Sequence, residues 1–159
     1  MNVVSNSTPL IALAKINRLD LLEEYFREIF VPEGVYDEVV RRGEGMPGAV
    51  EVARSEWIKE MNVQNRFAVE SLSLSLDKCE AEAIVLSKEK DALLLIDDGD
   101  GRRTAELLGL KITGTVGIIL LASHDGKLDL KTTLDDLMAV GFRLSEREYK
   151  QILFLERIE

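Results

Sequence analysis

Residues 92–99 read Ala-Leu-Leu-Leu-Ile-Asp-Asp-Gly, and this segment restricts the fold more than any other part of the chain. Its five consecutive apolar residues are typical of a strand buried on both faces, as in the middle of a parallel sheet. Two aspartates and Gly99 end the strand, and residues 102–108 form a predicted helix. In sheets of this kind, functional sites form beyond the carboxyl ends of the strands.

Further strands and helices alternate on both sides of this segment. Short strands are predicted at residues 2–5, 29–31, 57–63 and 111–113. The other predicted helices follow Pro9, Asn17, Val35 and Asp77 or cover about residues 50–56, 116–122, 131–140 and 145–157. This alternation predicts an α/β fold with a mostly parallel sheet and helices on both faces.

Residues 64–76 do not fit either period well. Leu72, Leu74 and Leu76 alternate with serines in this stretch. The alternation predicts a short strand or an extended connection here.

Length and composition predict a single domain over residues 1–159, with C-terminal helices from about residue 131. The chain is 46% hydrophobic, but no apolar run approaches the roughly 18 residues that a membrane helix needs. We expect no membrane partner, and the single cysteine, Cys79, fits a reducing cytoplasm. The net charge of −9 argues against a general nucleic-acid coat. It is compatible with a nuclease, because bound metal ions locally reverse the sign of an acidic pocket.

Oxygen-bearing side chains stand at the predicted strand ends and helix starts. Asn6 follows the first strand, and Glu38 lies in the helix after the second. Glu80 opens the helix after Asp77, and Asp98 ends the central strand. Carboxylate and amide oxygens suit hard cations such as Mg²⁺ or Mn²⁺, and such sites often act on phosphate esters. The pattern predicts a divalent-metal site at the carboxyl edge of the sheet.

Five segments, in this order, resemble motifs of PIN-domain nucleases. They are Val3-Val4-Ser5-Asn6-Ser7-Thr8-Pro9-Leu10-Ile11, Tyr36-Asp37-Glu38-Val39, Glu80-Ala81-Glu82-Ala83-Ile84, Leu95-Ile96-Asp97-Asp98 and Gly114-Thr115-Val116-Gly117. The resemblance covers about residues 2–125 and points to a VapC-like branch of uncharacterised PIN-like proteins. It implies a three-layer PIN-like fold, with a central, mostly parallel sheet flanked by helices.

The resemblance also implies an activity. It is that of a ribonuclease of the toxin–antitoxin type, which hydrolyses RNA phosphodiesters with one or two Mg²⁺ or Mn²⁺ ions. The family's metal ligands carry over to Asn6, Glu38, Glu80 and Asp98, and its catalytic acids to the last three. Asn6 stands where the family has an aspartate, so that position keeps an oxygen ligand but lacks the charge. The implied partners are an RNA substrate, a small antitoxin protein and a second copy of the chain in a homodimer.

Each principal site residue also has a structural interpretation. Asn6 can cap the first helix, and Glu38 can be a solvated helix residue. Glu80 can be the capping-box partner of Asp77, and Asp98 can cap the helix that follows it. Either role, or both together, is compatible with the sequence.

Five further side chains are secondary candidates: Ser7, Thr8, Glu82, Asp97 and Arg102. The two hydroxyl residues can support a metal ion or cap the first helix. Glu82 competes with Glu80, although the separation of Glu80 from Asp98 resembles the family better. Asp97 can orient a ligand or cap a helix, and Arg102 can contact a phosphate or form a salt bridge.

Two other functions stay open on the sequence. Asn6 favours a catalytically weak or inactive PIN-like module that binds nucleic acid or a partner. A phosphatase-like or receiver-like acidic domain is a third possibility. It is disfavoured because the lysine and threonine that a receiver needs beside its phosphorylated aspartate are not found.

Overall fold

A parallel sheet forms the centre of the fold. The structure is a computed structural model that describes residues 1–158, and the side chains as far as residue 156. Its strands are β1 Val3–Ser5, β2 Ile29–Pro32, β3 Ile58–Met61, β4 Leu93–Leu95 and β5 Ile112–Thr113. They lie in the order β3-β2-β1-β4-β5, and each neighbouring pair is parallel. This confirms the predicted α/β class, with the apolar segment 92–96 near the centre.

Helices connect the strands along the whole chain. Those of the first half are α1 Ser7–Lys15, α2 Asp20–Phe26, α3 Glu33–Tyr36, α4 Ala49–Arg54 and α5 Arg66–Leu72. Those of the second half are α6 Lys78–Lys90, α7 Gly99–Leu107, α8 Thr115–His124, α9 Leu130–Ala139 and α10 Glu146–Ile158. The last two match the predicted C-terminal helices. Within residues 1–158, no helix is both long enough and apolar enough to cross a bilayer.

Two hydrophobic clusters cover the two faces of the sheet. Leu94 and Ile96 point into a cluster with apolar residues of α5, α6 and α7. Leu95, between them, belongs to the opposite cluster, with residues of α1, α2, α8, α9 and α10. Successive strand residues point to opposite faces, so a strand in the middle layer must be apolar throughout. The result is the three-layer arrangement that the resemblance implies.

The predicted strand or extended connection in residues 64–76 is wrong, because α5 occupies Arg66–Leu72. Asn65 caps this helix by accepting a hydrogen bond from the Ala68 N–H at 3.0 Å. Val69 is buried and Leu72 half-buried, at helical spacing, against α6. Leu74, which the alternation would bury, is exposed.

The helix that carries Glu38 is not regular. It begins as α3 and continues as a π-helical turn over Asp37–Arg41, in which the Arg42 N–H donates to the Asp37 carbonyl at 2.7 Å. Single π-helical turns are rare in proteins, but those that occur are often found at functional sites. The sequence predicts one continuous helix here, because the backbone pattern of a π turn has no simple apolar period.

Candidate metal centre at the carboxyl edge of the sheet

Asn6 and Asp98 lie at the same edge because β1 and β4 are neighbours in register. Ser5 is paired with Leu95, and the Asn6 N–H donates to the Leu95 carbonyl at 2.9 Å. Asp98 follows at the N-terminus of α7, where its carboxylate accepts from the Gly101 N–H at 2.9 Å. The predicted cap on α7 is therefore present.

Glu80 joins this edge from the first turn of α6. Its N–H donates to Asp77 at 2.8 Å and its carboxylate accepts from the Asp77 N–H at 3.4 Å, which is the predicted capping box. The side chain then turns inward, and the residue is 6% exposed. A Cβ added at Gly101 would lie 2.7 Å from Glu80 Oε2 and 3.6 Å from Asp98 Oδ2. The two carboxylates thus share the space that Gly101 leaves open.

The shared space makes Glu80 and Asp98 titrate unequally. Burial, and then hydrogen bonds to Asp77 and Asp98, raise the pKa of Glu80 from 4.5 to about 9. The hydrogen bond from Glu80, and then that from the Gly101 N–H, lower the pKa of Asp98. Two carboxylates in one site cannot both be ionised cheaply. At neutral pH and without a cation, Glu80 therefore carries the proton and Asp98 the charge.

Two buried side-chain oxygens within residues 1–156 accept no hydrogen bond. They are Asn6 Oδ1 and Glu80 Oε2. Asn6 is 5% exposed and stands at the N-cap position of α1, but its side chain accepts no capping hydrogen bond. The capping role considered for Asn6 is therefore not realised, and an orphaned buried oxygen needs another explanation. A bound cation would explain both oxygen atoms, because each is a suitable ligand for it.

Glu38 reaches the edge of the sheet through Ser7. Ser7 Oγ donates to the Glu38 carboxylate at 2.5 Å, and Glu38 itself is exposed. Thr8, by contrast, is exposed. No three His, Cys, Asp or Glu side chains among the described residues lie close enough together to hold a metal ion. Glu38 is thus linked to Asn6 through its neighbour but is not clustered with Glu80 and Asp98.

Glu82 faces away from the Glu80–Asp98 pair. It is 2% exposed, and its two carboxylate oxygens accept from the Gly34 N–H at 2.8 Å and from Arg66 Nη1 at 3.0 Å. A Cβ at Gly34 would come within 2.5 Å of Glu82 Oε1. Glu82 therefore ties α6 to the start of α3, the element that leads to Glu38.

Asp97 and Arg102 support the loop around Asp98. Asp97 accepts from the Thr115 N–H at 2.8 Å and from Thr115 Oγ1 at 2.7 Å, so it caps α8 rather than α7. Burial raises the pKa of Asp97, and the two Thr115 hydrogen bonds oppose that shift. Arg102 Nη1 donates to the Ile96 carbonyl at 2.8 Å. Within the described residues Arg102 forms this main-chain contact, and the salt bridge considered for it is not present.

A family model described as a PIN domain (DUF3368) matches residues 2–156, which is nearly the whole chain. The chain belongs to the PIN-domain family. PIN domains are commonly metal-dependent nucleases that bind nucleic acid, and they generally use divalent metal ions. The family match extends beyond the segment that resembles PIN motifs and includes both C-terminal helices.

Comparisons with individual proteins add little to the family assignment. No curated protein matches the chain. Among solved structures, this PIN domain is similar to a PilT N-terminus domain protein of the hyperthermophilic archaeon Sulfolobus solfataricus P2. The two share 18% identity, with a TM-score of 0.49 over 84% of this chain and 94% of the other. At this level the similarity carries no argument about function.

The residues at the edge of this PIN domain fit a divalent cation. Glu80, Asp98 and Asn6 offer only oxygen atoms, which is the donor set that Mg²⁺ and Mn²⁺ prefer. Neither Glu80 Oε2 nor Asn6 Oδ1 accepts a hydrogen bond. The proton on Glu80 relieves the repulsion between the Glu80 and Asp98 carboxylates, and a cation at the same place would relieve it as well. A cation would displace that proton and pair both carboxylates.

Three residues that shape the PIN-domain edge are not singled out by the sequence. Gly101 leaves the space for the carboxylate pair, and only its position after Asp-Asp-Gly-Asp hints at this. Arg66 is missed because its helix is not predicted. Cys79 donates to the Gly34 carbonyl at 3.3 Å, and burial, followed by Glu38, raises the pKa of its thiol to about 12. A thiol with a raised pKa is poorly ionised and is therefore a poor nucleophile.

The raised pKa of Glu80 has a consequence for stability. Between pH 4.5 and about 9 the folded protein keeps a proton that the unfolded chain releases. The free energy of unfolding in EDTA is therefore expected to fall as pH rises through this window. Urea denaturation at several pH values should show a shallower fall for Glu80→Gln, whose amide cannot titrate. Identical pH profiles for the two proteins would contradict the proton assignment.

Removing the buried carboxylate of Glu82 should destabilise the fold. Glu82→Ala leaves the Gly34 N–H and Arg66 without their acceptor, at an expected cost of about 2 kcal/mol. Glu70→Ala removes an exposed acid from α5 and should change stability by less than about 0.5 kcal/mol. Equal free energies of unfolding for the two variants in urea would show that the Glu82 contacts contribute nothing.

Proposed function

We propose that this PIN domain is a divalent-metal-dependent endoribonuclease of the toxin–antitoxin type, with RNA phosphodiesters as its substrate. The observation that supports it is the Glu80–Asp98 carboxylate pair, at the same edge of the sheet as Asn6, whose buried Oδ1 accepts no hydrogen bond. The buried Glu80 and the exposed Asp98 share one site, and two carboxylates in one site repel each other unless a cation or a proton compensates them. The family match supports the proposed reaction class, and the carboxylate pair supports the proposed position of the site.

The proposed roles follow from the positions of the side chains. Asp98 and Glu80 would hold Mg²⁺ or Mn²⁺, with Asn6 adding a neutral oxygen. When bound, such an ion polarises a phosphate oxygen and lowers the pKa of an attacking water. Glu38 is exposed and held by Ser7, so its carboxylate is free on its solvent side to orient a water or an outer ligand. Glu82 positions the helix that carries Glu38.

The neutral side chain of Asn6 sets the expected strength of this activity. An all-acid PIN site would have one more negative charge beside the cation. Asn6 keeps the oxygen ligand, so we propose weak metal affinity and low cleavage, with manganese favoured over magnesium because it sheds its water more readily.

The same residue favours a second candidate, a catalytically inactive PIN-like module that binds nucleic acid or a protein partner. Asn6 is uncharged, and the three acids Glu38, Glu80 and Asp98 do not form a single cluster in the described part of the chain. In that case Glu80 keeps its proton, and the Glu80–Asp98 pair has only a structural role.

We further propose a small antitoxin protein and a second copy of the chain as partners, in the cytoplasm. The exposed apolar residues on the C-terminal half of the fold offer area for such contacts. They include Leu121 on α8 and Phe154 on α10.

Cleavage of a single-stranded RNA with Mn²⁺, with Mg²⁺ and with EDTA tests the proposed function. We propose slow cleavage that needs a divalent ion and is faster with manganese. Complete inactivity with both ions, together with intact RNA binding, would favour the inactive module. Cleavage that persists in EDTA would exclude the metal-dependent mechanism.

A further inference from the structure

A cleft of about 650 Å³ opens between the segment that joins β4 to α7 and the start of α8 on one side and α10 on the other. Asp97 and Gly99 line it, and they flank Asp98 in the chain. The opposite wall is the segment before α10 together with one side of that helix. Its volume lies within the range of about 300–1,000 Å³ that is typical of small-molecule sites. We call it the Arg102–Arg143 cleft, after the two cations among its lining residues.

The two arginines that face the cleft have hydrogen-bond donors that no other described residue uses. Arg143 is exposed and forms no ion pair or hydrogen bond with another described residue. Arg102 uses Nη1 for the Ile96 carbonyl, which leaves the rest of its guanidinium for another acceptor.

The carboxylates of the cleft are already engaged. Both oxygens of Asp97 accept from Thr115, and Glu148 accepts from the Ser145 N–H at 3.1 Å at the start of α10. In a chain of net charge −9, the cleft thus presents two guanidinium groups whose donors are not fully used. Guanidinium groups suit the planar, multi-oxygen geometry of phosphate.

The remaining wall of the cleft is apolar. Val116, Phe142, Ile152 and Leu155 contribute it, and Phe142 is half-buried with its ring part of the lining. Proteins that bind single-stranded nucleic acid combine backbone-contacting cations with aromatic or apolar surfaces for the bases. The cleft has both elements, and two of its lining residues, Asp97 and Gly99, flank the proposed metal ligand Asp98 in the chain.

We propose that the Arg102–Arg143 cleft binds the nucleotide that adjoins the cleaved bond of single-stranded RNA. Arg143, assisted by Arg102, contacts its phosphate, and the apolar wall with Phe142 packs against its base. This subsite rests on the proposed ribonuclease function. At this subsite the RNA chain leaves the metal site, and Arg102 and Arg143 neutralise the charge of its phosphate.

Binding without cleavage tests the subsite separately from catalysis. The full-length protein in EDTA is titrated with a fluorescent single-stranded oligoribonucleotide, and anisotropy gives the dissociation constant. Arg143→Ala is expected to weaken binding about tenfold, as for one lost charge-assisted contact. The slope of log K against log salt should also fall by about 0.7, the value for one phosphate on a single strand. Arg143→Lys should recover part of the affinity.

Arg147→Ala provides the matched control, because Arg147 is an exposed arginine of α10 that does not line the cleft. It should leave both the dissociation constant and the salt slope near the wild-type values. Equal losses for Arg143→Ala and Arg147→Ala would overturn the subsite while leaving the ribonuclease proposal intact. Failure of the wild type to bind RNA in EDTA would overturn the subsite, whereas the cleavage assay with Mn²⁺ tests the ribonuclease proposal separately.

A second measurement distinguishes a nucleotide site from a bare phosphate site. Amide chemical shifts are followed by NMR during titration with uridine 5′-monophosphate and, separately, with inorganic phosphate. The proposal expects shifts at Val116, Gly117 and Phe142 with the nucleotide, and smaller shifts confined to Arg143 with phosphate. Equal effects of the two probes would show that the base is not bound. Shifts outside the cleft would overturn its assignment.

Discussion

Replacing Asp98 by alanine is expected to abolish metal-dependent cleavage of RNA, with a loss of at least about hundredfold in rate, equivalent to roughly 3 kcal/mol. Asp98 is the carboxylate that stays ionised in the Glu80–Asp98 pair, so it carries the charge that would attract the cation. The measurement is the initial rate of cleavage in Mn²⁺.

Two further variants separate this loss from a loss of stability. Asp98→Ala also removes the cap on α7, at about 1 kcal/mol. Asp98→Asn keeps an oxygen for the Gly101 N–H but not the charge, and it should be equally inactive while melting close to the wild type. Asp100→Ala removes an exposed acid two residues along α7 and should cleave normally. An active Asp98→Asn would show that the charge of Asp98 is not used.

Replacing Asn6 by aspartate is expected to raise cleavage and manganese affinity about tenfold, equivalent to about 1.4 kcal/mol. The change restores one negative charge at a buried oxygen that has no donor. A further carboxylate at the sheet edge that carries Glu80 and Asp98 must also increase repulsion when no cation is present. Asn6→Asp should therefore melt at a lower temperature than the wild type in EDTA, and Mn²⁺ should raise its melting temperature more.

The control for Asn6→Asp is Asn62→Asp, which adds the same charge at an exposed asparagine. It should change neither the melting temperature in EDTA nor the effect of Mn²⁺. If Asn6→Asp gains neither metal binding nor cleavage, and the wild type is inert, the ribonuclease proposal fails and the inactive binding module replaces it.

The strand β4 is predictable from the sequence because it satisfies a strong local rule. Residues 92–96 are apolar throughout, and only a strand covered on both faces needs that. The capping box of Asp77 and Glu80 fixes the start of α6 in the same way. Helix α5 is not predictable, because the alternation of leucines and serines over residues 72–76 suggests an extended chain, while Asn65 and contacts with α6 set the helical conformation of residues 66–72.

The site is only partly predictable for a different reason. The sequence places Asn6, Glu80 and Asp98 at strand ends and helix starts, and a parallel sheet brings those points to one edge. The sequence does not predict in which direction a side chain at the start of a helix points. Glu80 and Glu82 differ by two positions on α6, and one faces Asp98 whereas the other faces Gly34 and Arg66. That division depends on tertiary contacts which no local pattern encodes.

The central claim is that the carboxyl edge of the sheet holds a divalent cation between Glu80, Asp98 and Asn6. Anomalous scattering from crystals soaked in millimolar MnCl₂ tests it most directly. The account predicts a manganese peak within about 2–2.5 Å of oxygen atoms of Glu80 and Asp98, with Asn6 Oδ1 at or next to the ion. A map with no manganese at this edge, or with manganese only at other acidic surfaces, would contradict it.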